Sequence, residues 1–395
     1  MPIPSTNSLL LKRTIYNSVN AIETDKWNSV LEERNVYLSI DYLKSLEKGM
    51  KDEMKLFFAI SCNDKEEPVL ISTFQMVKFI DKRRKFAQHL CKLSYHIQKK
   101  LEDIFTVNVL VCGNVFSDGE NGFIWSDHLG SEAAFNEVDA VIKQLKKEEE
   151  LKEKASITLF KEFGPSTVIS SDQLNKHSYR DFMIDVNMVL QIHESWNSLD
   201  DYLKSMKTKF RTRANAVFKK AKDLEIRVLS SDNILQEKER IRELFGNVLA
   251  KSDFSYGTMT PETLAYFREN LPNNFELRGF YLDGLMVGFN TSFLNNGSLE
   301  ANFVGLDYDY NKEYSVYQRI LYDYVEQALS HSVKDLQLGR TSELIKSSIG
   351  AMPTNMKLYV KHRKSVSNLL LKHVIQSISP SEFELRKPFK ANFTN

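Results

Sequence analysis

The sequence predicts an α/β chain of the α+β kind, in two domains that each carry a mixed, mostly antiparallel sheet flanked by helices. Three observations lead there. The chain has 395 residues, more than one simple core organises, and residues 1–175 and 176–395 form the expected division. Its composition, 42% hydrophobic and 27% charged, is that of a globular protein. Its apolar runs are strand-sized and alternate with amphipathic stretches, and the second half repeats the order of the first.

The elements follow in order. YLSIDYLKSLEKG predicts a helix from about Ser39, with Gly49 suited to its C-terminal cap. MKLFFAIS and EPVLISTFQMVKF, separated by Asn63-Asp64, predict a hairpin. VNVLVCGNVF and GFIWSD read as strand, glycine-containing turn, strand. A helix is expected near Ala133–Lys152 and a strand in SITLFKEF. The run KQLKKEEELKEK, Lys143–Lys154, mixes opposite charges at helical spacing and reads as a solvated helix face.

In the second half, Ser198 with Asp201 makes a capping box that opens a helix. Its apolar stripe continues through Leu203, Met206, Phe210, Val217, Ala221 and Leu224. LEIRVLS reads as a strand and Asp232–Ala250 as a helix. Thr260-Pro261 starts another helix, to about Asn270. FELRGFYL, LMVGFNTSFL and SLEANFVGLD, divided by Asp283-Gly284 and Asn295-Asn296-Gly297, predict a three-stranded meander. A helix over Tyr314–Ser330, a strand in DLQLG, a strand in MKLYVKHR and a helix over Val366–Ile378 complete the series, with an irregular tail from Ser379.

Several function classes are excluded or disfavoured. With 53 Lys and Arg against 52 Asp and Glu, any argument for an anionic partner must rest on a local patch. Cys62, Cys91 and Cys112 are odd in number and far apart, which fits a reducing compartment and neither a disulfide framework nor a metal site. The eight histidines form no zinc-binding pattern. The N-terminal stretch has no signal-peptide pattern and no run is long enough to span a bilayer, so a cytoplasmic location is expected. CGNVFSDGENGF has three glycines but neither phosphate-loop nor dinucleotide spacing, and reads as a hairpin or compact surface loop.

The sharpest local patch is YLKSMKTKFRTRANAVFKKAK, Tyr202–Lys222, with eight basic residues and no acidic one. It is either a surface helix whose cations pair with acids elsewhere, or a phosphate-facing surface with Arg211 and Arg213 as the bidentate binders. Its few aromatics disfavour sequence-specific nucleic-acid reading.

Three stretches then carry a resemblance: SMKTKFRTRANAVFKKAKDLEIRV; the meander GFYLDGLMVGFNTSFL with YSVYQRILYDYVEQAL; and LGRTSELIKSSIGAMPTNMKLYV. Over about Tyr179–Gln376 the chain resembles the Fem-like branch of the GNAT acyltransferases, the peptidoglycan biosynthesis or recognition type. That resemblance implies two tandem GNAT-like domains, the first a diverged copy. It implies transfer of an acyl or aminoacyl group from CoA or tRNA to an amine, and the expected case is an acyl-CoA co-substrate with no permanently bound cofactor. Its alternatives are an aminoacyl-tRNA-dependent transferase of cell-wall type, and a binding module that kept the fold without the chemistry. The glycine loop that holds the CoA pyrophosphate in ordinary GNAT enzymes is absent: GLDYDYNKEYSVYQR has no glycine after Gly305.

Within this frame Arg340 and Lys346 are the expected binders of substrate anions, since they follow a strand end. Tyr314 or Tyr317 is the expected acid for a leaving thiolate. Glu300, on a shared face with Asn302, is the expected base. Each has a bland counterpart: a solvated loop, core packing, an exposed sheet face. Peripheral contact of the basic segment with an anionic membrane surface is a further expectation.

Overall fold

In the computed structural model the described residues are 11–81, 106–148, 151, 154–183, 186–251, 254–255, 259–376 and 383–393. They form two sheets. The first contains β1 (Lys12–Tyr16), β2 (Lys55–Cys62), β3 (Pro68–Asp81), β4 (Thr106–Cys112), β6 (Ile157–Phe163), β16 (Lys357–His362) and β7 (Arg180–Phe182), in that spatial order. β5 (Phe123–Trp125) and β10 (Phe254–Ser255) also pair with β3. The second runs β15 (Met352–Asn355), β8 (Val186–Gln191), β14 (Asp335–Gln337), β13 (Ser298–Leu306), β12 (Leu285–Asn295), β11 (Phe275–Leu282), β9 (Glu225–Val228). In each sheet one parallel pair, β4–β6 or β13–β14, sits among antiparallel neighbours.

The strand period of two sorts the side chains into layers. Phe57, Ala59, Leu110 and Phe160 of the first sheet pack outward against helix Ser131–Leu145. Phe58, Ile60 and Val111 face inward, into a core shared with Phe275, Phe289 and Phe293 of the second sheet. Helices Ile40–Gly49, Lys238–Leu249 and Pro261–Asn270 fill this middle layer, where Tyr42 stacks on Phe267 at 4.8 Å. The outer face of the second sheet is covered by helices Leu199–Ser205, Thr208–Lys220 and Val316–Ser330.

The meander forms with the expected turns: Asp283-Gly284 and Asn296-Gly297 all have positive φ, the geometry of a type I′ hairpin. Ser39, Ser198 and Thr260 cap their helices as expected.

Other elements depart from expectation, each for a tertiary reason. Gly49 ends its helix, but a β-carbon there would lie 2.1 Å from Thr263 Oγ1, so close helix approach explains the glycine. The helix expected to Lys152 stops at Leu145; the charge run continues through a turn and lies partly outside the described residues. The helix begun at Ser198 breaks at Met206-Lys207, because Lys207 N–H donates to Pro388 C=O at 2.8 Å and Lys390 N–H to Ser205 C=O at 3.0 Å. The tail is therefore docked over 383–393: Phe389 is buried against Trp196 and Tyr202. Asp232–Ala250 is two helices, Ser231–Gln236 and Lys238–Leu249. Strand β16 leaves the second sheet, where β15 lies, and pairs with β6 and β7 in the first.

Candidate active site

The parallel pair β13–β14 holds register only from Ser298↔Asp335 to Glu300↔Gln337. Beyond Gln337 the chain stays with β8, through Leu338 N–H to Met188 C=O at 2.8 Å and Met188 N–H to Gly339 C=O at 3.1 Å. Beyond Glu300, β13 stays with β12. The two strands therefore splay, and a cavity of about 600 Å³ opens between them.

Along this gap β13 has an unpaired edge. A bulge places Asn302 and Phe303 opposite Thr291, and Phe303 N–H donates to Thr291 Oγ1 at 2.8 Å. Past the bulge, Asp307 N–H donates to Val287 C=O at 2.9 Å. Antiparallel alternation then turns the peptide groups of Val304 and Leu306 away from β12, toward the gap. The Leu306 C=O already accepts from Asn247 Nδ2 at 3.2 Å.

The cavity walls divide by chemistry. Phe245, Val248, Leu306, Leu321, Leu338 and Ile345 form apolar surface. The polar lining comes from both halves: Ser117, Asp118 and Lys161 from the first, Arg340, Ser342 and Lys346 from the second. The first half reaches in by two devices. The loop after β4 carries Ser117 and Asp118. A bulge in β6 sets Lys161-Glu162 against the single residue Leu358, with Glu162 at φ 63°.

Lys161 donates to the Ser117 carbonyl and lies 3.0 Å from Glu162 Oε2. Burial pushes its ammonium down to about 7, against the pull of Asp118. Glu162 also accepts from Gly119 N–H at 3.0 Å and pairs with Arg340, whose Nε is 3.6 Å from Asp118 Oδ1. Arg340 thus lines the cavity while bridging the two halves. Lys346 lines it too, but its ammonium is held by the carbonyls of Gly339 and Arg340, and burial pushes it down to about 8.

Tyr317 lines the cavity from the first turn of helix Val316–Ser330, whose position Asn311 fixes by accepting Tyr317 N–H at 2.9 Å. Burial raises its phenol above the usual range, against a hydrogen bond with Ser342, so it stays a proton donor. Tyr314 lies outside the cavity on the preceding helix, beside Tyr310.

Glu300 lies behind the wall. Its carboxylate accepts from Tyr37 O–H at 2.7 Å and Asn295 Nδ2 at 2.8 Å, while Asn302 Nδ2 donates to Tyr37 at 3.2 Å. Burial pushes Glu300 up to about 7, with those two hydrogen bonds opposing. Asn302 lines the cavity and Glu300 does not. Arg211 lines neither this cavity nor its neighbour; Arg213 lines the neighbour, described below. The sequence reading missed Lys161 and Asp118, because they sit in the other half of the chain with no motif around them. Among the described residues no group of His, Cys, Asp and Glu could hold a metal, and no helix is long and apolar enough to cross a membrane.

No family model and no curated protein sequence matches this chain. Solved structures do. FemX is similar over 93% of this chain and 100% of its own, at 10% identity and a TM-score of 0.56. A tandem GNAT protein from the clavulanic acid biosynthesis pathway covers 89% of this chain and 98% of its own, at 8% identity and a TM-score of 0.51. L-PGS from Bacillus licheniformis covers 90% and 97%, at 12% identity and a TM-score of 0.50. The chain has the tandem GNAT fold of Fem-like proteins, with two mixed, mostly antiparallel sheets flanked by helices.

Proposed function

We propose that this protein transfers an acyl group from an acyl-CoA-type donor to an amine acceptor in the cavity between β13 and β14. The observation that carries the reading is the splay itself: a strand edge with unpaired peptide groups, beside apolar wall and a buried lysine. The apolar wall suits the donor's acyl arm. A peptide N–H of the open β13 edge, at Val304 or Leu306, receives the developing oxyanion. The amine attacks the thioester carbonyl, forming the C–N bond as the C–S bond breaks. Neutral Lys161 takes the proton released by the amine, since a base near 7 is matched to neutral pH. Tyr317 O–H protonates the leaving thiolate. Arg340 and Lys346 are then positioning groups: Arg340 ties the two halves, and Lys346 holds the loop that carries it.

A second reading, an aminoacyl-tRNA donor, is favoured by one observation. Among the described residues Lys209, Arg211, Lys219 and Lys222 of the basic segment have no carboxylate within 4.0 Å. Titration of the purified protein with acetyl-CoA, a long-chain acyl-CoA and bulk tRNA at two salt concentrations separates the readings. Saturable acyl-CoA binding, with amine-dependent thiol release that Lys161→Met lowers by about 10²–10⁴-fold, is expected. Tight tRNA binding that falls steeply with salt would move the donor to aminoacyl-tRNA. Binding of neither would leave a non-catalytic module.

A further inference from the structure

A second cavity, of about 440 Å³, lies on the outer side of helix Glu343–Ser348 and shares only Leu321 and Ile345 with the first. Three cations from two separate parts of the chain line it: Arg213 and Lys220 from the basic helix, and Arg386 from the docked tail. Like charges gathered on one hollow repel unless an anion joins them. The protein supplies almost none. Among the described residues the nearest carboxylate to any of the three is Glu384, 3.9 Å from Arg386 Nη2 and itself largely exposed. Among the described residues Lys220 Nζ donates only to the Lys312 carbonyl, at 3.3 Å. Arg386 Nε is buried without a hydrogen-bond partner among the described residues, and the Arg386 backbone is fixed by an N–H donated to Ser347 Oγ at 3.1 Å. Arg386 is thus held in place with a donor unspent.

We infer that this cavity binds a phosphate group of a small organic ligand, a phosphate mono- or diester. Two guanidinium forks and an ammonium match phosphate oxygens in number and kind. Hydroxyls of Ser315 and Ser348 lie on the same lining, and Tyr322 and Val217 offer apolar surface for an organic portion. A volume of about 440 Å³ suits a small molecule and not a run of nucleic-acid backbone. The docked tail is part of the site, since Arg386 reaches it only when residues 383–393 are seated. The inference does not depend on the transfer chemistry proposed above.

The test is calorimetric titration of the full chain with inorganic pyrophosphate, a nucleoside diphosphate and a single-stranded oligonucleotide, at low and high salt. Saturable binding of the first two is expected. Arg213→Gln and Arg386→Gln should each weaken it about tenfold. Lys209→Gln and Lys219→Gln, which do not line the cavity, should leave it within about twofold. Protease resistance of the tail in Arg386→Gln checks that the segment stays seated, and Arg213→Gln, on an exposed helix face, tests the site independently of it. The inference is overturned if pyrophosphate fails to saturate, if all four variants weaken binding alike, or if the oligonucleotide binds more tightly and displaces it.

Discussion

Gly350→Ala tests how the tail is seated. Gly350 has φ 102°, and a β-carbon there would lie 2.1 Å from Phe389 Cε2 and 2.4 Å from Cζ. Two costs follow. The backbone of an L-residue in this region costs about 1–2 kcal/mol. The ring must also leave, and exposing a buried Phe side chain costs about 1.5–3 kcal/mol. Phe389 is 6% exposed and packs 5.0 Å from the Trp196 ring, so most of that second cost applies. Gly350→Ala should therefore destabilise by roughly 2.5–5 kcal/mol. Phe389→Ala alone should cost about 3–5 kcal/mol. The two should not add: with the ring gone, Gly350→Ala retains only its backbone cost, about 1–2 kcal/mol. Urea denaturation of the wild type, both singles and the double variant measures this, with tryptophan fluorescence as the signal. Equal costs of Gly350→Ala in both backgrounds would refute the reasoning.

Further predictions concern the site. Lys161→Met should lower transfer by about 10²–10⁴-fold and abolish a rise in rate with an inflection near pH 7, the value to which burial pushes the lysine; a pH–rate profile decides it. Glu300 has a folded-state pKa raised from 4.5 to about 7, so its contribution to stability is complete below pH 4.5 and lost as pH rises through 7, amounting to about 3 kcal/mol. Denaturation across pH 4.5–8 should show that loss in the wild type and not in Glu300→Gln. Tyr317→Phe should lower turnover with poor leaving groups while leaving donor binding intact, read as kcat falling at constant KM.

What was legible in the sequence was local. The turns Asp283-Gly284 and Asn296-Gly297 announce the meander because left-handed backbone favours those residues. Ser198 and Thr260 announce helix starts because their hydroxyls serve donors three residues away. What was not legible depends on distant partners. Nothing near Met206 says that Pro388 will accept from Lys207, so the apolar stripe reads through the break. The same division runs through the site. Tyr317, Arg340 and Lys346 follow from the loop and helix after β13 and β14, and all three reach the cavity. Lys161 faces it only because a bulge in β6 turns it there and the halves pack face to face. Glu300 carries the right chemistry on the right strand, yet its carboxylate is taken up by Tyr37 from the other half and by Asn295, and it does not line the cavity.

Strands β15 and β16 are joined through Met356 alone, yet they complete different sheets. This has a consequence for synthesis. The first sheet lacks the strand between β6 and β7 until residues 357–362 have been made, so the opening half emerges from the ribosome with a gap in its sheet and β6 without its partner on one side. It must wait through nearly two hundred further residues for the pairing of β16 with β6, a contact of high sequence separation and hence slow to form. A fragment cut near residue 175 should keep that open edge and aggregate through it. Nor can the finished halves drift apart, because a one-residue tether joins the two sheets whose residues together line the cavity.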